Sequence, residues 1–516
     1  MTTTAATSTK SWFLYLVVFV VGLHVISASW HIFYGGQNID EGFYALAARA
    51  VWQGELPYRD FGYTQMPLLP YVNGLAMQVI GFGLFEQRAV NGLWAAITLL
   101  LMGLWLARHT RQAWAIGFVA FLSLSAPWMY YIHLGKTYAF TGLTALAALW
   151  VYTEWKPGVK KILVLAALGT IGSGCRLPAT VYFAVLWFAA FVELPRQPAR
   201  RWLLVGLESL VFPLILLLPF YVAAPEAAKF WTMDFHRIEI AHKLWHLSLS
   251  DVVVLAPALW LSLCAAAFLA VKFRNCPSRA DSVVGIATLL TLAVNLLPTG
   301  VYEEYAVPFL PPLLLVAITG IWRTGSTIGW LRHAVIPVGL LLFNLAATVA
   351  IIWPAMPAVR HDNLSLFLSL GAPDYDATLP GRIAQARKVV KEFLPENQPF
   401  IGPFLILAVE TDRFVPHTLR MGPFTATADY SPAQALRLNL ATWTELDAYF
   451  KNPSIPVVAF TKTSYLNYVW SMPSHRNLAE HDDNPWFDLF RKEFLVAYED
   501  RDFFILVRKS AAGTSH

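Results

Sequence analysis

Asp40 and Glu41 stand side by side in NIDEGFYALAARAVW, at the start of the loop that follows the first long apolar segment, 12–30. That segment has about the ~20 residues needed to cross a bilayer. Carboxylates kept at the edge of such a segment are costly near lipid, which makes the pair a candidate for chemistry. One ionised carboxylate could act as general base toward a hydroxyl nucleophile. Two carboxylates spaced across one sugar would be a glycosidase's equipment, and nothing else here asks for the second. A local role is also open, because Asn38-x-x-Glu41 has capping-box spacing and EGFYALAARAVW continues as a helix. The two roles are compatible, since a capped helix start would hold Asp40 rigidly.

Cations that could answer an anion are spread through the chain. Arg59 lies in the first loop and Arg88 opens the second apolar span. Lys136 follows Tyr130, Tyr131 and His133. Arg176 sits between two apolar spans beside Pro178, where an unpaired cation is expensive. Each could meet a phosphate; the plainer alternatives are snorkelling to an interface or pairing with an acid. Glu303-Glu304, flanked by Tyr302 and Tyr305 before VPFLPPL, could line a cavity or form an exposed turn. The segment KFWTMDFHRIEIAHKLWH offers Asp234, His236, Glu239 and His242 without a dense metal-ligand spacing. An amphipathic interfacial helix with Trp231 and Trp245 at headgroup depth is the better reading. Glu208, inside the seventh apolar span, is suited to pairing with an inner-side Arg. Cys175, Cys264 and Cys276 are too scattered for a disulfide framework or a metal cluster.

The elements that must position these residues follow from composition. Of 516 residues 57% are hydrophobic and 14% charged, with mean hydropathy +0.50. Soluble domains carry ~25% charged residues, so the chain reads as a polytopic α-helical membrane protein. About eleven transmembrane helices are expected, near 12–30, 89–107, 113–131, 137–154, 162–175, 178–193, 203–222, 251–271, 282–298, 307–322 and 334–353. The first span is too long for a signal-peptide core and lacks a cleavage site, so it is read as retained. Lys and Arg concentrate in the shorter loops that share a side with Lys10, Arg108, Lys160 and Arg200, which puts the N-terminus in the cytoplasm. Most acids fall in the opposite loops, and that bias points to work on the outer face. Residues 1–356 then form the transmembrane domain, with the first outer loop 31–88 carrying the active site. Residues 357–516 lack a spanning run. Helical GRIAQARKVVKEFL and SPAQALRLNLATWTELDAYF alternate there with the strand-like runs FIGPFLILAVE, IPVVAF and FFILVRK, as in an extracytoplasmic α/β domain. It has no Gly-rich phosphate loop, which argues against a nucleotide site.

The ordered set NIDEGFYALAARAVWQGELPYRDF, QMPLLPY and GFGLFEQRAV resembles the first-loop signature of the GT-C glycosyltransferase superfamily. The nearest branch is that of the protein O-mannosyltransferases and lipid A aminoarabinose transferases. Motifs carry the resemblance over about residues 12–110, and architecture carries it beyond. It implies an inverting transfer of a sugar from a polyprenyl-phosphate donor to a hydroxyl of a glycan, lipid or protein on the outer face. Asp40 matches the catalytic base, Glu41 its support, and Arg88 the Arg that closes the loop. One element departs: the family's Lys-Pro-Pro-Leu reads Gln65-Met66-Pro67-Leu68, so donor phosphate contacts fall to Arg59, Arg88, Lys136 or Arg176. Tyr63, Gln65, Glu303 and Glu304 are the acceptor-side candidates. The resemblance implies no metal and no cofactor beyond the lipid-linked sugar, no nucleic-acid partner, and a place in a bacterial plasma membrane. Two other classes are open. A transporter or flippase for lipid-linked sugars would carry broken helices in matching halves, and no internal repeat is visible. An O-antigen ligase or polymerase would place its key residues in a large late loop.

Overall fold

In this computed structural model the described residues are 36–123, 128, 131–195, 198–236, 279–296, 303–324, 378–425, 430–462 and 485–513, with scattered positions between 15 and 29. The first loop folds into two helices, α1 (Glu41–Trp52) and α2 (Leu69–Ile80). Pro70 sits in the first turn of α2, where its missing N–H costs nothing. Gly81, at φ 108°, ends that helix in a conformation other residues reach with strain. The chain then enters α3 (Leu84–His109), whose 26 residues rise about 39 Å. Among the described residues α3 alone is long and apolar enough to cross a membrane.

Shorter apolar helices follow: α4 (Gln112–Ser123), α5 (Tyr138–Glu154), α6 (Val159–Cys175), α7 (Thr180–Val192), α8 (Ala199–Leu216), α9 (Arg279–Leu296) and α10 (Leu310–Thr324). They overlap the expected spans 113–131, 137–154, 162–175, 178–193, 203–222, 282–298 and 307–322, with shifted ends. The expected spans 251–271 and 334–353, and the boundary near residue 356, lie outside the described residues. Eleven spans therefore stand as an expectation. Pro213 sits inside α8, and a second helix (Leu218–Ala223) begins just beyond it. The expected break at GSGCRLPAT is present. Arg176 turns extended at φ −147°, and Leu177–Ala179 forms a single 3-10 turn around Pro178 before α7. Close helix approach depends on small residues here: a Cβ on Gly172 would fall into the ring of Phe183.

The C-terminal region contributes α11 (Leu379–Phe393), α12 (Ile406–Glu410), α13 (Trp443–Lys451), β1 (Val457–Thr461), α14 (Pro485–Glu493), β2 (Phe494–Glu499) and β3 (Phe503–Arg508). The sheet is antiparallel in the order β1-β3-β2, with Ala459 opposite Ile505. Thr378 caps α11 and Thr442 caps α13 through side-chain acceptors. FIGPFLILAVE is not a strand. Ile401 makes one bridge to Val458, then Gly402 at φ 127° and Pro403 end the pairing, and the apolar remainder coils into α12. The run SPAQALRLNLATWTELDAYF divides into Pro432–Arg437 and α13, separated at Asn439, whose φ is 55°.

The chain forms two compact units. One comprises 1–31, 89–218 and 238–365, and the other 32–88, 219–237 and 366–516. The first loop thus belongs with the C-terminal region. The two ends of the helical unit differ in chemistry. At one end Arg108 lies over Trp150, Lys160 over Trp155 and Arg111 over Trp322, at 4.7, 5.3 and 5.7 Å. The other end, where α5 begins and α6 stops, holds Lys136 and Arg176.

Candidate functional site

Asp40 occupies the position that opens α1, with φ −77° and ψ −24°, and its side chain does not cap the helix. Its backbone N–H donates instead to Asn38 Oδ1 at 3.0 Å. Glu41, fully buried, does the anchoring. Its Oε2 accepts from the Asn38 N–H at 3.1 Å, which is half of the expected capping box. Arg88 donates to the same carboxylate from Nε at 2.8 Å and from Nη2 at 2.6 Å, and Nη2 also donates to the Gly36 carbonyl at 2.8 Å. Both side chains of this bidentate pair are fully buried. The first turn of α1 is therefore tied to the start of α3, and Asp40 is left half-buried on a fixed backbone.

The other first-loop candidates are placed less favourably for contact with a ligand. Arg59 is half-exposed and forks onto Asp60 at 2.9 and 2.7 Å, and this bond holds the Asp60 carboxyl below the usual range. Tyr63 has no exposed surface and stands edge-on to Phe43, Tyr44 and Phe61, so it is a wall of the core. Gln65 presents its backbone carbonyl to the Tyr58 hydroxyl at 2.6 Å. Burial pushes that phenol well above its ordinary range.

Trp231 corrects the expectation of a residue at headgroup depth. It is completely buried, donates from Nε1 to the Leu438 carbonyl at 2.7 Å, and its ring fills the space that a Cβ on Gly62 would need. His236 Nε2 meets the Thr64 carbonyl at 2.7 Å, and Asp234 pairs with Lys229 at 3.3 Å. Glu239, His242 and Trp245 lie outside the described residues. Sequence reasoning missed Arg49, which is buried and reaches Asp412 at 3.1 Å and the Arg413 carbonyl at 2.9 Å. Desolvation lowers its pKa. An Arg inside an alanine-rich helix was its only signal.

A second cluster lies wholly within the helical unit and gathers three of the candidates, Lys136, Arg176 and Glu304. Lys136 Nζ reaches the two Glu304 oxygens at 3.1 and 3.3 Å, and the Tyr138 hydroxyl donates to the same carboxylate at 2.6 Å. Glu304 is thus engaged by a cation and a phenol; the Glu303 side chain lies outside the described residues. Arg176 lies over the rings of Tyr305 and Tyr138 at 4.5 and 5.1 Å. It donates to Thr137 Oγ1 at 3.3 Å and to Asn295 Oδ1 at 3.4 Å, and its Nε has no hydrogen-bond partner among the described residues.

Every other buried Lys or Arg among the described residues has a carboxylate within 4.0 Å, from Arg88–Glu41 to Arg508–Glu493. Arg176 has neutral dipoles and aromatic faces only. A desolvated guanidinium in that setting is a place for an anion. Thr137 and Asn295 were not foreseen; a polar residue near the end of each apolar helix was the available signal.

The likeness of the chain to known proteins is one of fold. Over 97% of its length the chain superposes on crystal structures of ArnT from Cupriavidus metallidurans, the lipid A aminoarabinose transferase. One of those structures is in the apo state and the other is bound to undecaprenyl phosphate. Each gives a TM-score of 0.56 at 15% identity and is covered over 98% of its chain. The archaeal oligosaccharyltransferase AglB from Archaeoglobus fulgidus, in complex with an inhibitory peptide and a dolichol-phosphate, is more distant, with a TM-score of 0.44 at 11% identity over 90% of this chain and 71% of that one. No protein-family model and no curated protein sequence matches the chain. The resemblance read from the first-loop motifs is therefore present as a likeness of fold to ArnT.

Proposed function

We propose that the protein is a membrane-embedded inverting glycosyltransferase that moves a sugar from a polyprenyl-phosphate donor to an acceptor hydroxyl. The observation that carries this reading is Arg176, a buried guanidinium without a carboxylate partner among the described residues. A phosphate monoester leaves as a stable anion and needs a cation nearby rather than a proton. Arg176 supplies that charge, with Lys136 beside it in the same cluster. The acceptor hydroxyl needs a base, and Asp40 takes that role. As the acceptor oxygen bonds to the anomeric carbon, its proton passes to the Asp40 carboxylate. The carbon–oxygen bond to phosphate breaks, and its electron pair stays on the phosphate. Glu41 and Arg88 hold the backbone from which Asp40 acts. Guanidinium charge meets the phosphate, so the reading invokes no metal.

The fold shared with ArnT, one of whose structures holds undecaprenyl phosphate, supports a lipid-linked donor. The apolar composition and the 26-residue α3 support the membrane setting. The distribution of Lys and Arg supports an outer-face reaction at a bacterial plasma membrane. The sugar and the acceptor, whether glycan, lipid or protein, stay open.

The test uses purified full-length protein with a panel of synthetic polyprenyl-phosphate sugars and acceptors. Asp40→Asn should abolish transfer, by at least the ~10²–10⁴-fold that a general base contributes, while donor binding persists. A panel without turnover for the unaltered protein, or full activity of the Asn variant, overturns the reading.

A further inference from the structure

At the basic end of the helical unit, an open cavity of about 370 Å³ lies between α6 and α8, lined by Val159, Arg200, Arg201, Leu204, Val205 and Glu208. The reaction proposed above uses none of these residues. Arg200 and Arg201 are exposed, and neither has a carboxylate within 4.0 Å among the described residues. Below them runs a lane: Arg201, Leu204, Glu208, Val211 and Ile215 recur at helical spacing on one exposed stripe of α8. The stripe is about 21 Å long, a length that suits an acyl chain. Beyond Arg201, Glu208 is the exception in it, a carboxylate among Leu204, Val211 and Ile215.

From this arrangement we infer that the cavity is a binding site for an anionic phospholipid with a hydroxyl-bearing head group, of the phosphatidylglycerol class. The inference rests on the membrane setting proposed above and on no step of the transfer. Two guanidiniums against one carboxylate leave a net charge of +1, which a monoanionic phosphodiester neutralises and a zwitterionic head group does not. Arg200 and Arg201 take the phosphodiester oxygens, as basic pockets between membrane helices do. Glu208 accepts a hydrogen bond from a head-group hydroxyl, which settles the one polar group the lane would otherwise leave against lipid. The acyl chains lie along Leu204, Val211 and Ile215.

The experiment is native mass spectrometry of the full chain in detergent, titrated separately with phosphatidylglycerol, phosphatidylethanolamine and inorganic phosphate. Phosphatidylglycerol should be retained as a one-to-one adduct at concentrations where the other two are not. The double variant Arg200→Gln/Arg201→Gln should weaken that adduct roughly thirtyfold, at about a kcal/mol for each basic residue. Arg200→Lys/Arg201→Lys should recover part of it, which separates lost charge from a folding defect. Glu208→Gln should erase any preference for phosphatidylglycerol over phosphatidic acid, which has no head-group hydroxyl. Equal retention of both phospholipids, retention of inorganic phosphate alone, an unchanged double variant, or a second copy of the chain in place of the lipid would each overturn the inference. Sugar transfer measured on the same preparation keeps the two readings apart: loss of the adduct with intact turnover sinks only this one, and an adduct without turnover sinks only the transferase.

Discussion

Removing the guanidinium of Arg88 is the perturbation that most directly tests how Asp40 is held. Both partners of the Glu41–Arg88 pair are fully buried, and the carboxylate accepts from Arg88 at 2.6 and 2.8 Å. Arg88→Met therefore takes the guanidinium from a buried carboxylate that also accepts from the Asn38 N–H at 3.1 Å. Breaking a buried pair from one side costs about 3–5 kcal/mol, since the orphaned charge has no solvent to turn to. In a folding unit of roughly 200 residues each kcal/mol moves the thermal midpoint about 2–4 °C, so a fall of about 6–20 °C is expected. The double variant Glu41→Leu/Arg88→Met removes both charges, and apolar replacement of a buried pair is often neutral or better. Its stability should return to within about 2 kcal/mol of the parent, less the acceptor that Asn38 loses. Transfer should not return with it, because the ion pair that ties the first turn of α1 to α3 is gone. The assay is thermal unfolding in detergent alongside initial rates with a polyprenyl-phosphate sugar. An Arg88→Met variant within about 1 kcal/mol of the parent, or a double variant as unstable as the summed singles, refutes the buried-pair argument. A stable double variant with full activity refutes the positioning of Asp40 through Glu41.

Three further outcomes follow from particular contacts. Arg176→Gln should lower transfer by at least tenfold, at about 1.4 kcal/mol per decade, while leaving stability level or improved, because it removes a buried charge that no carboxylate offsets. A drop in thermal midpoint like that of Arg88→Met would instead mark Arg176 as structural. Burial raises the pKa of Glu410, whose carboxylate accepts from the Leu84 N–H at 2.9 Å. The folded state therefore holds this proton more tightly than the unfolded chain does, so the associated stability is present in acid and is lost as pH rises through the raised folded value. Glu410→Gln keeps the acceptor without the charge, so it should unfold at a higher temperature than the parent at neutral pH and converge with it below about pH 4; a constant gap across that range would contradict the assignment. Gly402→Ala combines φ 127° with a Cβ driven into the Ala459 carbonyl. It should cost more than the ~1–3 kcal/mol of backbone strain alone, read as a fall in thermal midpoint, and a neutral result would mean that the β1 edge yields.

What the sequence disclosed follows from how far each interaction reaches along the chain. Asp40 and Glu41 were legible because a helix start, its acids and its cap occupy four residues. Their division of labour was not, since it is set by Arg88, 47 positions away from Glu41. Arg176 stood out because a cation beside a proline between apolar runs has few cheap explanations. Lys136 and Glu304 were each visible, but as a phosphate contact and a cavity wall; their pairing spans 168 positions. FIGPFLILAVE read as a strand because a short apolar run carries no period, and the Gly402-Pro403 break outweighed its composition. Trp231 misled for a related reason. An aromatic in an amphipathic segment looks the same whether its apolar side faces lipid or, as here, the residues around Gly62 and Leu438. The strand β2 went unread because its exposed residues alternate poorly, as an edge strand's can.

The distribution of charge is where fold and function meet. A buried cation is ordinarily answered by a carboxylate, and nearly every one here is, so the answered pairs explain stability or position and ask for no ligand. Two groups carry the proposed chemistry. Asp40 is a carboxylate released from capping by its neighbour, on a backbone that a buried ion pair fixes. Arg176 is a guanidinium packed against phenol rings and amide or hydroxyl oxygens, with no carboxylate within 4.0 Å among the described residues. Sugar transfer from a phosphate carrier needs one base for the hydroxyl and one cation for the leaving group, and needs them as separate groups, because pairing with each other would quench both. A transporter for the same lipid could use Arg176, but it would have no use for a general base, and this is why Asp40→Asn discriminates between the two classes more sharply than any substitution in the helical unit.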